Sequence, residues 1–192
     1  MTNRLTCDII SLVSLFHLSK GANALKECVR SEVRRLGAGV YDSEEFIRAY
    51  DETHHKATSV ARHSEDVACT SIRISRFLEK FGVNIDHETV VNAALCHDLG
   101  MLDRDNKFDD VKICHREHPI HSVDVAKSLI DDYNDTVHDA IVNHMWPIAG
   151  SVPKSREGKI ITFADKYCAL KDVRHIMRLY AALVLLRFGI IL

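Results

Sequence analysis

The chain has 192 residues, with 46% hydrophobic residues, 27% charged residues and a formal net charge of −2. This length and composition are typical of one globular domain that buries its own core. The near-neutral charge excludes the basic field of a general nucleic-acid-binding protein, so we expect no nucleic-acid partner.

Apolar residues recur mostly at helical spacing, and the chain has only 8 glycines and 3 prolines. The sequence therefore predicts an all-α protein. The predicted helices, in chain order, cover residues 6–20, 23–36, 42–54, 58–81, 86–98, 119–132, 135–145, 159–170 and 175–187. Residues 99–114 and 149–157 are predicted as loops, the first of them polar and rich in Asp. Gly37-Ala38-Gly39 is the best candidate hinge, which predicts an N-terminal helical appendage, 1–40, and a functional body, 41–192.

The cysteines and the C-terminal segment bear on location and assembly. None of the six cysteines forms a CxxC pair, which favours a reducing compartment and a cytoplasmic protein. Residues 179–192 are strongly apolar but too short and interrupted for a membrane span. We therefore expect no membrane partner. This segment is expected to pack on the body or on a second subunit, which makes a homodimer an open possibility.

The dipeptide His97–Asp98 follows an apolar run and is predicted near the end of a buried helix. Burying two metal-competent side chains side by side is costly unless something pairs them, and a metal ion is the simplest partner. Further imidazole and carboxylate groups lie on the other predicted helices or beside them: His63, His118, His144 and Asp165. A nitrogen and oxygen ligand set without cysteine suits Fe, Mn, Co, Ni, Zn or Mg.

Each candidate also has an ordinary alternative. His63 alone is typical of a surface helix, and His97 with Asp98 is compatible with a capping pair. His144 is predicted late in its helix, where a cation is favourable. The conjunction favours a metal centre, because helical bundles build such sites from side chains that project inward from facing helices.

The order H…HD…HP…H…D, over about residues 50–175, resembles the HD superfamily of metal-dependent phosphohydrolases. The resemblance implies an all-α HD-domain bundle that holds one or two divalent ions. It implies that the ligands of the basic site are His63, His97, Asp98 and Asp165. The extra histidines of two-metal subfamilies match His118 and His144, and Asp98 would then bridge the ions.

The resemblance implies hydrolysis of a phosphate ester or anhydride by metal-activated water. A nucleotide is the expected small phosphorylated substrate, although the resemblance fixes none. Asp98 is the candidate catalytic residue that orients the water, and Lys166 is a candidate catalytic phosphate clamp. His121, Lys166 and Trp146 are candidate substrate contacts. Their alternatives are a surface histidine, a solvated lysine and a packing tryptophan.

Basic residues in or beside the surrounding loops are candidates for recognising further phosphates, although loops are also basic for solubility. They are Arg62, Arg104, Lys107, Arg116, Lys154 and Arg156.

Two other functions stay open beside the hydrolase. One is a regulatory module that holds metal and nucleotide without turnover, although six intact ligand positions count against it. The other is a di-iron oxygenase, because some HD folds bind two irons. Cyclic-di-GMP hydrolysis is disfavoured, because Met145-Trp146-Pro147 stands where those enzymes carry a second histidine and a Gly-Tyr-Pro signature.

Overall fold

The computed structural model describes residues 27–54 and 58–187. Its first element, α1, covers residues 27–36. The other elements are α2 (Ala38–Tyr41), α3 (Glu44–Arg48), β1 (Thr53–His54), β2 (Thr58–Ser59), α4 (Val60–Glu79), α5 (His87–Cys96), a 3-10 turn (Leu99–Met101), α6 (Arg104–Lys107), α7 (Val111–Leu129), α8 (Asp135–Val142) and α9 (Arg156–Arg187). Strand structure in the described residues is limited to the two-residue antiparallel pair of β1 and β2. The all-α prediction is confirmed.

Helix α5 forms the centre of the bundle and packs against α4, α7, α8 and α9. It begins at the cap Asp86, whose side chain accepts hydrogen bonds from the backbone N–H groups of Glu88 and Thr89. Ala94 and Leu95 near its other end are fully buried. Because α5 is surrounded by other helices, its sequence is apolar on nearly every side, and its last turn delivers His97 and Asp98 to the interior.

Helix α1 belongs to the same hydrophobic core, since Val29 and Val33 are buried within it. A Cβ atom at Gly37 would collide with the Leu95 side chain. Gly37 therefore permits a close approach to α5, and the structure shows packing where we expected a hinge. The boundary between an appendage, 1–40, and a body stays a prediction, and the predicted helix 6–20 lies outside the described residues.

The predicted loop at 99–114 is wrong. It contains the 3-10 turn, α6 and the first turn of α7. Asp110 caps α7 by accepting hydrogen bonds from the N–H groups of Lys112 and Ile113, and the helix continues through Pro119. The predicted helix 119–132 begins at Pro119, because proline is favoured at the first helical position. In the structure, Pro119 lies inside α7.

Four other predicted helices need correction. The segments 159–170 and 175–187 form one continuous helix, α9, which begins at Arg156 inside the predicted loop 149–157. Helix α8 ends at Val142, so His144 lies beyond it rather than late within it. The predicted helix 42–54 is reduced to α3 and a turn that leads into β1. Within the described part of the chain, no helix has the length and apolar character needed to cross a membrane.

Candidate metal centre

The fold brings all six predicted ligand residues into one buried cluster. His63 lies on α4, His97 and Asp98 directly follow α5, and His118 lies on α7. His144 follows α8, and Asp165 lies on α9. The most accessible of the six is only 6% exposed. A cluster of this polarity in a hydrophobic interior needs internal pairing or a bound ion.

One half of the cluster surrounds Oδ2 of Asp98. The Nε2 atoms of His97 and His63 lie 3.3 and 3.9 Å from this oxygen. Oδ1 of Asp165 lies 3.0 Å from His63 Nε2 and 3.9 Å from His97 Nε2. Two ligands of one first-row ion, each about 2.1 Å from it, can be at most about 4.2 Å apart. All four distances satisfy this limit.

The other half surrounds Oδ1 of the same carboxylate. The Nε2 atoms of His118 and His144 lie 3.2 and 3.4 Å from Asp98 Oδ1, and 3.1 Å from each other. These distances also fit one ion. Each oxygen of Asp98 therefore lies beside its own histidine pair, which would suit a carboxylate holding two ions, and His97, His144 and Asp165 also lie close enough together to hold an ion.

Backbone carbonyls orient three of the four imidazoles. Nδ1 of His97, His118 and His144 lies 2.7 Å from the carbonyl oxygens of Ala94, Cys114 and Ile141, respectively. A carbonyl only accepts, so Nδ1 donates in each ring, and the Nε2 lone pair of the neutral ring points into the cluster. His97 Nε2 is buried and has no hydrogen-bond partner among the described residues. A metal ion would satisfy it.

Without a bound ion, protons on the histidines would have to balance the negative charge of the carboxylates in the cluster. Burial lowers the pKa of His63, but the carboxylates of Asp165 and Asp172 outweigh it and raise that pKa to about 10. Burial also lowers the pKa of His118, but the hydrogen bond to Asp98 outweighs burial and raises that pKa to about 9. Burial and the neighbouring imidazoles lower the pKa of His144 to about 4. With no cation bound, His118 Nε2 would hold a proton between Asp98 Oδ1, at 3.2 Å, and His144 Nε2, at 3.1 Å, where a divalent cation would otherwise lie.

Asp165 is held from two sides. Burial alone would raise its pKa, but His63, His97 and Lys166 keep it well below its usual range. Lys166 Nζ lies 2.6 Å from Asp165 Oδ2 and donates to the carbonyl of His144 at 3.2 Å. Lys166, the predicted phosphate clamp, is thus already paired with the carboxylate of a candidate ligand.

Asp172 is a site residue that the sequence reasoning missed. Its Oδ2 lies 3.7 Å from His63 Nδ1, on the side of the ring that faces away from the cluster. It comes seven residues after Asp165 on α9, two turns along the same helix face. That spacing was the available signal.

A cavity of about 730 Å³ opens beside the cluster, and Asp98, His118, Asp165 and Lys166 form part of its lining. This volume is typical of a small-molecule site. The lining does not include His121 or Trp146. His121 is exposed and contacts Phe108 with tilted rings, whose centroids are 5.7 Å apart, and Trp146 is 41% exposed. Their assignment as substrate contacts stays a prediction.

The fold and the cluster define a helical bundle built around a buried His/Asp centre that fits divalent metal binding. The family model "HD domain" matches residues 60–170, more than half of the chain. The chain therefore belongs to the HD-domain family, whose superfamily comprises metal-dependent phosphohydrolases. No curated protein and no solved structure gives a significant match.

Proposed function

We propose that the protein is a metal-dependent phosphohydrolase that cleaves a phosphate ester or anhydride, of a nucleotide or a similar small molecule. The observation that carries this proposal is the placement of Asp98. Its two oxygens face two separate histidine pairs at 3.2 to 3.9 Å, at the wall of a ligand-sized cavity. When bound, divalent ions would neutralise phosphate charge and activate water.

The ion nearer to Asp98 Oδ2 would be held by His63, His97, Asp98 and Asp165. The second would be held by His118, His144 and Asp98. Each set includes residues that line the cavity, since Asp98, His118 and Asp165 are part of its wall. Asp98 lines the cavity and is the residue proposed to orient the attacking water.

Lys166 has the second proposed catalytic role. Its ammonium group fixes Asp165 and lines the same cavity, so it brings positive charge to a phosphoryl group bound there. In the reaction, water adds to phosphorus, the bond from phosphorus to the leaving oxygen breaks, and that oxygen takes up a proton. The products are inorganic phosphate, or a phosphorylated fragment, and the leaving alcohol or phosphate.

A phosphate-release assay tests the proposal. Protein stripped of metal is reconstituted separately with Mn, Co, Ni or Mg and offered a panel of nucleotides and aryl phosphates. We expect release from at least one substrate class with the wild type. The Asp98→Ala variant should lose release and metal, whereas Asp124→Asn, an exposed change on α7, should keep both.

Circular dichroism of Asp98→Ala should remain largely helical. Absence of release with every metal and substrate would contradict the proposal. Iron-dependent oxygen uptake with an organic substrate would instead establish the oxygenase alternative.

A further inference from the structure

The charged groups that line the cavity outside the metal centre are mostly negative. Three carboxylates lie in its lining, one on α6 and two just before α7: Asp105, Asp109 and Asp110. Arg104 and His115 are the other ionisable groups of this part of the lining, apart from the thiol of Cys114. Asp110 is also fixed in place, because its Oδ1 caps α7. We call the three carboxylates of Asp105, Asp109 and Asp110 the acidic rim.

The positive groups of the cavity are already partly offset. Lys166 is paired with Asp165 at 2.6 Å, and Arg104 Nε lies 3.7 Å from Asp105 Oδ1. Of the six basic residues predicted as contacts for further phosphates, only Arg104 lines the cavity. A polyphosphate chain needs several cations along its length, and the acidic rim offers repulsion instead.

The remaining lining is apolar and suited to an uncharged group. Met101, Phe108, Val111 and Ile148 contribute side chains to the cavity, and Val111 and Ile148 are each 63% exposed. Large exposed apolar side chains beside a cavity are typical of a surface that a ligand covers. A flat or apolar body of the substrate would bury them.

Resting on the proposed function, we infer that the substrate is a phosphate monoester with an uncharged, apolar or aromatic body. Its one phosphoryl group is neutralised at the metal centre and by Lys166, and its body lies on the apolar lining. Nucleoside di- and triphosphates are disfavoured, because their additional phosphates would lie beside the acidic rim. The bond broken is therefore an ester bond, and the products are an alcohol and inorganic phosphate.

The test compares kcat/KM for adenosine mono-, di- and triphosphate with the metal-loaded enzyme. We expect at least about a tenfold preference for the monophosphate. The double variant Asp105→Asn with Asp109→Asn should raise kcat/KM for the triphosphate about three- to tenfold and change the monophosphate value little. Asp124→Asn is the control, because it removes an exposed charge of α7 outside the cavity.

A second measurement does not depend on turnover. Titration calorimetry with non-hydrolysable phosphonate analogues should show tighter binding of the monophosphate analogue than of the triphosphate analogue. The difference between the two affinities should be smaller in the double variant. Equal or better use of the triphosphate by the wild type would overturn this inference and leave the proposed hydrolase intact. Tighter binding of the monophosphate analogue without hydrolysis of any nucleotide would contradict the proposed hydrolase activity. It would still support the inferred chemical class of the ligand.

Discussion

Replacing Asp172 by Asn tests whether the metal centre extends beyond its ligands. The substitution keeps the shape of the side chain and removes the charge that lies 3.7 Å from His63 Nδ1. A carboxylate in this position orients a ligand imidazole and raises its basicity, so its loss should weaken metal binding.

The structure sets the expected magnitude. Removal of such a partner typically costs 10- to 100-fold in metal affinity, which corresponds to about 1.4 to 2.8 kcal/mol. The Asp172 side chain is 22% exposed, and its distance exceeds that of a direct hydrogen bond. Solvent screening and distance both reduce the interaction, so we expect a loss of about tenfold.

The assay is competition between the protein and a chelator for Mn or Co, with the dissociation constant measured for the wild type and the variant. Phosphate release should fall at limiting metal and recover at saturating metal, because substrate groups are unchanged. Asp105→Asn, a change at a 96% exposed side chain, is the control for metal affinity. An unchanged dissociation constant for Asp172→Asn would refute the reasoning.

Two further predictions concern stability. Gly100→Ala should lower the free energy of unfolding by about 2 to 4 kcal/mol, measured by urea titration. The added Cβ would collide with the α7 backbone at Ser122 and would disturb the hydrogen bond from Gly100 N–H to Ser122 Oγ. Gly39→Ala, with its nearest atom 3.9 Å away, should be close to neutral, and equal losses in both variants would contradict this packing. Asp139→Asn should cost about 1 to 2 kcal/mol at neutral pH, because Asp139 accepts hydrogen bonds from Ser155 and other groups that fix the segment after His144. Burial alone would raise the pKa of Asp139, but these bonds lower it. Its stabilisation is therefore complete above the unfolded carboxyl pKa of about 3.9 and is lost as the pH falls through the folded value, so the two unfolding curves should converge in acid, and a gap independent of pH would disprove this origin.

The fold class and the central helices were predictable because local signals agreed with tertiary packing. In α4 and α5, the apolar spacing, the closing glycine at position 82 and the cap at Asp86 indicate boundaries within about two residues of those observed, whereas the cap at Ser59 was not used. The prediction of a loop at 99–114 failed because Pro119 is a strong local signal for a helix start. The cap at Asp110 is a local signal too, but it competes with Pro119, and the packing of α7 on the 3-10 turn that favours the longer helix is not visible in local sequence.

The ligand candidates were identifiable from residue type, because buried imidazoles and carboxylates are costly without a shared partner. The division of the cluster was not predictable from spacing, since it depends on which Asp98 oxygen faces which ring. The same applies to the cavity. Of the six basic residues that were candidate phosphate contacts, Arg104 alone lines the cavity. The neighbouring lining residues are carboxylates of the segment predicted as a polar loop.

Metal stoichiometry tests the central claim most directly. Elemental analysis of the wild type, reconstituted with Mn or Co and freed of excess metal, should give about two ions per chain. His118→Ala should retain about one ion, because His63, His97, Asp98 and Asp165 still form a complete set, and its helical content should match that of the wild type. Absence of bound metal in the folded wild type would contradict the account. Unchanged binding of two ions by His118→Ala would contradict the division of the site by the two oxygens of Asp98.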